Sequence, residues 1–364
     1  MTGRETMPGG FTRRQFVHLG AGIAAVGALA ACGRSDKVQT TSTAPASTSA
    51  PPSAAQSSAT PVNKAMVTVP KLTGIAWTDR VAEGVRMYAD DSHRDAYCEG
   101  AAQASAEAQA HVLQDLIDDR VAALLVTPFQ PDAVERLLAQ AMEAGIVVVT
   151  HEAPNITNAH YDVEPFHNAE YGIHLMRELA SRMNYAGEYI QLVGSLNSVT
   201  HKAWVDAANE YQRAHYPEMI RVNEPIETAD NAERAYETVR ELLSVFPNLA
   251  GIQGSASTDV VGAGRAVEEA DLSDGVVVGG TSTPKNVRPW LENGAVDFIQ
   301  FWDPAMTAYA QNVVAQILLD HGKIRSGISL VANGYGKVTL AGKVIFGDNA
   351  WITVTKDNAD AYDF

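Results

Sequence analysis

The chain has 364 residues, with 43 acidic side chains against 27 Lys and Arg and a formal net charge of −16. Such a balance repels phosphate backbones and argues against nucleic acid as a partner. Two cysteines are too few for a disulfide framework, so a folded domain here has to rely on a large apolar core.

The N-terminus reads as an export segment. Thr12-Arg13-Arg14-Gln15-Phe16-Val17 is a twin-arginine signature, followed by an apolar run from Leu19 to Ala31. That run is shorter than the roughly 20 apolar residues a membrane-spanning helix needs. Leu29-Ala30-Ala31-Cys32 has the form of a lipobox, in which Cys32 is lipidated and begins the mature protein. The alternative is an uncleaved helical anchor. Residues 1–32 are therefore expected to be a twin-arginine lipoprotein signal peptide, and the protein to work outside the cytoplasm, tethered to the cell membrane through Cys32. With Cys32 lipidated, Cys98 has no partner. Residues 33–65 are rich in Ser, Thr, Pro and Ala. They lack the apolar content to offset ordering entropy, so they are expected to form a disordered linker.

From Ala65 onward roughly 300 residues remain, enough for two domains with their own cores. The period of the apolar pattern alternates. A short strand at Val67–Val69 stops at Pro70, and helical spacing follows over Thr78–Ala89. Ala96–Cys98 reads as a strand, Ala104–Asp118 as a helix and Ala122–Val126 as a buried strand. A helix over Asp132–Ala144 and a strand over Ile146–Thr150 complete the first unit, with a break near Asp162–Phe166. The same grammar restarts: helix Asn168–Met183, strand Tyr189–Val193, helix Lys202–Ala214, strand Ile220–Val222, helix Asn231–Val245, strand Leu249–Gln253, helix Val260–Ala270, strand Gly275–Val278 and a last strand Val296–Phe301. The helix Ala305–Leu319 has no strand of its own nearby and is expected to return to the first unit. The Gly- and Val-rich tail from Ile328 to Phe364 suggests short strands near a hinge. Strands apolar on both faces, alternating with amphipathic helices, imply parallel sheets covered on both sides. The fold class is thus α/β, with two doubly wound parallel-sheet lobes. Residues 66–164 plus 302–327 are assigned to the N-terminal lobe. Residues 165–301 and part of 328–364 are assigned to the C-terminal lobe and hinge.

Ligands of open parallel sheets bind beyond the carboxyl ends of the strands, so the loops there are the places to look. They supply Lys71, Trp77, His151, Glu152, Thr200, His201, Trp204, Ser255, Ser257, Asp259, Trp302 and Asp303. Carboxylates, hydroxyls, imidazole and Lys can each bind a sugar hydroxyl as donor or acceptor, and a Trp face can stack on its C–H side. Each has a structural alternative. Lys71 binds ligand or caps a strand end. Glu152 and Asp303 bind ligand or pair with lysines or helix N-termini. Asp259 and Thr258 touch ligand or cap the next helix. Trp77, Trp204 and Trp302 stack on ligand or fill the core, and His201 is a contact or a solvated loop residue.

Several motifs together resemble the periplasmic binding proteins of ABC sugar transporters, of the ribose-binding type. These are Pro70-Lys71-Leu72-Thr73-Gly74, Ser282-Thr283-Pro284 with Arg288-Pro289-Trp290, Phe301-Trp302-Asp303, and Tyr362-Asp363-Phe364. Within that family the chain is similar to the branch of rhamnose-binding and autoinducer-2-binding proteins. The resemblance implies a type I fold with three crossovers, a three-stranded hinge and a ligand gripped between the lobes. It also implies that Lys71 is the family's binding lysine and that Glu152 replaces an aspartate shared with ribose binders. Where the autoinducer-2 pocket has an Asp-Gln pair and later a Pro and an Ala, this chain has Thr200 and His201, then Ser255 and Ser257. These departures disfavour autoinducer-2 and favour a small sugar or sugar alcohol.

The expected function is that of an ABC-importer solute-binding protein handing such a ligand to a membrane permease, as a monomer and without a cofactor. The alternatives are the ligand-binding part of a sensor or quorum-signal system, and an extracytoplasmic enzyme acting on a polyol. Neither a Gly-x-Ser-x-Gly elbow nor a His-Glu-x-x-His zinc helix occurs. His151, Glu152, His160 and His167 match no standard metal-site spacing, so no catalytic or metal residue is assigned.

Overall fold

The structure is a computed structural model that describes residues 63–364. The twin-arginine signature, Cys32 and residues 33–62 lie outside the described residues. Among the described residues, no helix is long and apolar enough to cross a membrane.

The first unit runs β1 (Met66–Val69), α1 (Ala76–Ser92), β2 (Ala96–Cys98), α2 (Ala106–Asp118), β3 (Ala123–Val126), α3 (Pro131–Glu143), β4 (Val147–Thr150) and β5 (Tyr161–Glu164). The second runs α4 (Asn168–Arg182), β6 (Gly187–Val193), α5 (Val199–His215), β7 (Met219–Arg221), β8 (Ile226–Glu227), α6 (Ala232–Val245), β9 (Leu249–Gly254), α7 (Ser257–Glu269), β10 (Val277–Thr281), α8 (Pro284–Asn293) and β11 (Phe298–Phe301). Then come α9 (Pro304–Leu319) and the tail strands β12 (Thr339–Ala341), β13 (Val344–Phe346) and β14 (Ile352–Val354). One sheet has the order β12-β13-β5-β4-β3-β1-β2, the other β14-β11-β10-β9-β6-β7 with β8 also beside β6. All pairings within each sheet are parallel except those of β12 with β13 and β14 with β11.

Alternation along the strands explains why they read as unbroken apolar runs. In the first sheet, Val67, Val69, Leu124, Val126 and Val148 pack with α2 and α3. Their neighbours Met66, Ala123, Leu125, Val147 and Val149 pack on the other face with α1 and α9. In the second sheet, Ile190 and Leu192 face α6 and α7, whereas Tyr189 faces α4 and α5. Both faces of each sheet are therefore dry, the condition for a doubly wound parallel sheet.

Helix α9 packs against the first sheet, so the chain returns there after β11. The polypeptide crosses between the lobes after β5, after β11 and between β13 and β14, since β13 pairs with β5 and β14 with β11. The break expected near Asp162–Phe166 begins with a strand, β5. Its Asp162 and Glu164 are buried, and charged residues at alternate positions hide a strand from a hydrophobicity reading. Helix α8 was also not expected, because Pro289 lies inside it and proline ordinarily interrupts a helix.

The return of α9 is sealed by close contact with α1. A Cβ on Gly84 would lie 2.1 Å from the Ala305 carbonyl oxygen, so the two backbones meet where no side chain fits. Gly84→Ala is expected to cost about 1–3 kcal/mol of unfolding free energy in urea denaturation despite alanine's better helix propensity. Unchanged stability would show that the helices can separate freely at this point.

Candidate functional site

The parallel strands of both lobes deliver their C-terminal loops to one interlobe cavity. Proline at position 70 ends β1 and Lys71 follows it, while β4 is followed by His151 and Glu152. Glu152 adopts φ 58°, a left-handed backbone that a non-glycine residue rarely takes and that tends to mark functional loops. In the second lobe, Ser198 caps α5 by accepting a hydrogen bond from the His201 amide, which fixes Thr200 and His201 in the first turn. Ser255 to Ser257 lead from β9 into α7.

The polar centre is a buried ion pair. Lys71 Nζ donates to Glu152 Oε2 at 2.6 Å, and the Thr200 hydroxyl donates to the same oxygen at 3.2 Å from the opposite lobe. Burial opposes ionisation of Glu152, but Lys71, His151 and His201 more than offset it and bring its pKa down to about 2. Burial likewise opposes the charge on Lys71, yet Glu152 and Asp230 hold its pKa above the ordinary value. His201 is depressed to about 3 by burial and by Lys71, so it is neutral. Its Nδ1 accepts from the Gly194 amide at 3.1 Å, which leaves the proton on Nε2. His151 is also lowered, chiefly by burial, and its Nδ1 donates to the Val163 carbonyl at 2.7 Å.

The cavity measures about 60 Å³, room for about four waters at ~15 Å³ each. Trp302 lines it, edge-on to Trp77 at 4.8 Å and 5.8 Å from Trp204 and from His151 between ring centroids. Ile75, Val81 and Ala308 add apolar lining. Three lining atoms, Trp302 Nε1, Ser255 Oγ and Gln311 Nε2, are buried without a hydrogen-bond partner among the described residues. A buried donor left unpaired costs about 1–3 kcal/mol.

Of the residues expected from sequence, Lys71, Trp77, His151, Glu152, His201, Trp204, Ser255, Ser257 and Trp302 line this cavity. Three do not. Thr200 is fully buried and acts through its bond to Glu152. Asp259 reaches back to the Ser255 and Ala256 amides and accepts from Thr228 Oγ1 at 2.6 Å, so it caps α7. Asp303 caps α9 through the Ala305 amide and forms a two-pronged pair with Arg80 at 2.9 and 2.7 Å. It faces a separate groove with Met306, Tyr335 and Trp351. His160 accepts from the Val148 amide and His167 stacks on Phe346. Among the described residues, no group of three or more His, Cys, Asp or Glu is placed to hold a metal ion. The sequence reading missed Asp230, Thr127, Thr281 and Gln311, all of which line the cavity. Thr127 and Thr281 sit at the ends of β3 and β10, where strand-end logic could have found them.

A family model described as a periplasmic binding protein domain matches residues 66–324, and the chain belongs to that family. Among similar solved structures is LsrB from Clostridium saccharobutylicum in complex with AI-2, at TM-score 0.76 and 19% identity, covering 82% of this chain and 100% of that one. A solute-binding protein from Clostridium phytofermentas with bound L-rhamnose has TM-score 0.75 and 16% identity, covering 82% and 98%. One from Burkholderia graminis in complex with D-arabinose has TM-score 0.71 and 19% identity, covering 82% and 97%. These likenesses establish a shared fold.

The depressed carboxyl of Glu152 links stability to pH. Its folded pKa lies below the ordinary carboxyl value of 4.5. The stabilisation is therefore complete above pH 4.5 and is lost as the pH falls towards 2. Between those limits the unfolding free energy of the native protein is expected to fall more steeply than that of Glu152→Gln. Parallel curves in denaturant titrations would show that Glu152 is not held ionised by Lys71.

Proposed function

We propose that this protein is the extracytoplasmic solute-binding lipoprotein of an ABC importer. It captures one small sugar or sugar alcohol between its lobes and releases it, chemically unaltered, to a membrane permease. The observation that carries this reading is the bond from Thr200 on one lobe to Glu152 on the other, at the wall of a cavity to which both lobes contribute. Family membership supports the class of function, and the solved relatives hold L-rhamnose and D-arabinose in the same fold.

The lining supports a neutral, hydroxylated ligand. The one lysine among the lining residues is already paired with Glu152, and the two lining histidines are depressed towards the neutral form. Among the described lining residues, no unpaired cation is left to hold a phosphate or carboxylate. Unpartnered donors on Trp302 and Gln311, with apolar walls from Trp77, Ile75 and Val81, suit a carbon chain with oxygens on one side and C–H on the other. Thr200, His201, Ser255 and Ser257 at the positions that resemble the autoinducer-2 pocket weigh against that ligand.

Thermal-shift assays and calorimetry against D-arabinose, L-rhamnose, xylitol and erythritol test the reading. At least one is expected to raise the melting temperature by mass action, by about 2.7 kcal/mol of stabilisation at a hundredfold excess over Kd, and to be recovered unchanged. Glu152→Ala is expected to weaken that binding at least about tenfold, since hydrogen bonds to charged groups contribute about 1.5–3 kcal/mol. No shift with any compound, together with turnover of one, would favour an enzyme.

A further inference from the structure

Two carboxylates line the cavity, one from each lobe, and both are presented by left-handed backbone. Glu152 has φ 58°; Ala229 and Asp230 have φ 57° and 49° in succession. Among the lining residues other than glycine, these two carboxylates are the only ones with positive φ. Asp tolerates this conformation, but Ala does not do so readily. A consecutive pair is a strain that the surrounding fold has to hold in place. Its effect is to turn the Asp230 side chain back from the end of β8 into the cavity.

The two carboxylates differ in their partners. Glu152 is bonded to Lys71 and Thr200. Asp230 accepts no hydrogen bond from any described residue and forms no ion pair among them. Its carboxylate lies over the bare Cα of Gly194, where a Cβ would sit 2.2 Å from Oδ1. Lys71, on the opposite lobe, attracts Asp230 without touching it. The space between them lies in the gap that the two lobes enclose.

We propose that Asp230 is the second lobe's ligand-gripping carboxylate, accepting hydroxyl protons of the bound molecule while Lys71 and Glu152 hold it from the first lobe. The proposal rests on the solute-binding reading given above and narrows its ligand class. A carboxylate only accepts, so the ligand has to offer donors to it. Two adjacent hydroxyls satisfy its two oxygens at once. A sugar acid or sugar phosphate would set like charge against Asp230 and Glu152 and is rejected. Asp230 is thus a specificity determinant that selects an uncharged polyhydroxy compound.

Calorimetry tests this with D-arabinose, L-rhamnose, xylitol, erythritol and the sugar acid D-arabinonate. Asp230→Asn keeps the tolerance for left-handed backbone and removes the charge. It is expected to weaken the tightest neutral binder about tenfold, since charge-assisted hydrogen bonds are roughly twice as strong as neutral ones, and to narrow the preference for that compound over D-arabinonate. Gly194→Ala, whose added methyl displaces the carboxylate, is expected to weaken the same compound although Asp230 itself is unchanged. The melting temperature of both unliganded variants should stay near that of the native protein. Native affinity and an unchanged preference in Asp230→Asn would overturn the proposal. So would variants that lose stability but bind normally, because Asp230 would then be structural. If the native protein binds none of the neutral compounds, the solute-binding reading fails and takes this proposal with it. That result is seen in the native protein alone, before any variant is compared.

Discussion

The rest of the structure depends on one buried contact, Lys71 with Glu152, and on the hydroxyl of Thr200 that reaches Glu152 from the other lobe. A buried ion pair is a poor source of stability, because desolvating both charges offsets most of their attraction. Its value here is positional. Lys71 and Glu152 follow β1 and β4, with β3 between them in the same sheet. Once paired, they form a fixed charged floor. Removing either partner would leave the other buried and uncompensated. Thr200 makes that floor sensitive to the other lobe, since its bond exists only where the lobes approach.

The three crossings explain how two cores can share such a contact. Helix α9 ends the second lobe's last strand by returning to the first sheet, and its N-terminus is clamped by Asp303 to Arg80 of α1. The Arg80 guanidinium also lies 3.9 Å from the centre of the Phe364 ring. Phe364 belongs with the second lobe's core, where it packs edge-on against Phe301. Strand β13 extends one sheet and β14 the other, only a few residues later. The connections are thus pinned by packing and charge. Trp302 stands between that hinge and the cavity. It packs on Phe166 and also lines the gap.

Much of this was legible in the sequence because both faces of each sheet are buried. Runs such as Ala123–Val126 and Val147–Thr150 can only be inner strands, and ligand loops must follow them. Lys71, Glu152 and His201 were picked out that way, and all three line the cavity. What failed to show has physical causes. Strand β5 carries buried carboxylates, so its burial contradicts its polarity. Asp303 and Asp259 read equally well as ligand contacts and as helix caps, and three-dimensional pairing with Arg80 and Thr228 decided for caps. Asp230 follows a two-residue strand and owes its position to backbone at Ala229 that no residue-type preference suggests. Gln311 lies in a helix buried on nearly every side, where periodicity gives no inward face to look at.

The most direct test of the central claim is a crystal structure of the protein with the tightest neutral compound from the sugar and polyol panel. Density is expected between the lobes, contacted by Lys71 and Glu152 on one side and by residues of the second lobe on the other, with Thr200 still bonded to Glu152. A ligand held by one lobe alone, or bound outside the gap with the Lys71–Glu152 pair untouched, would contradict the account.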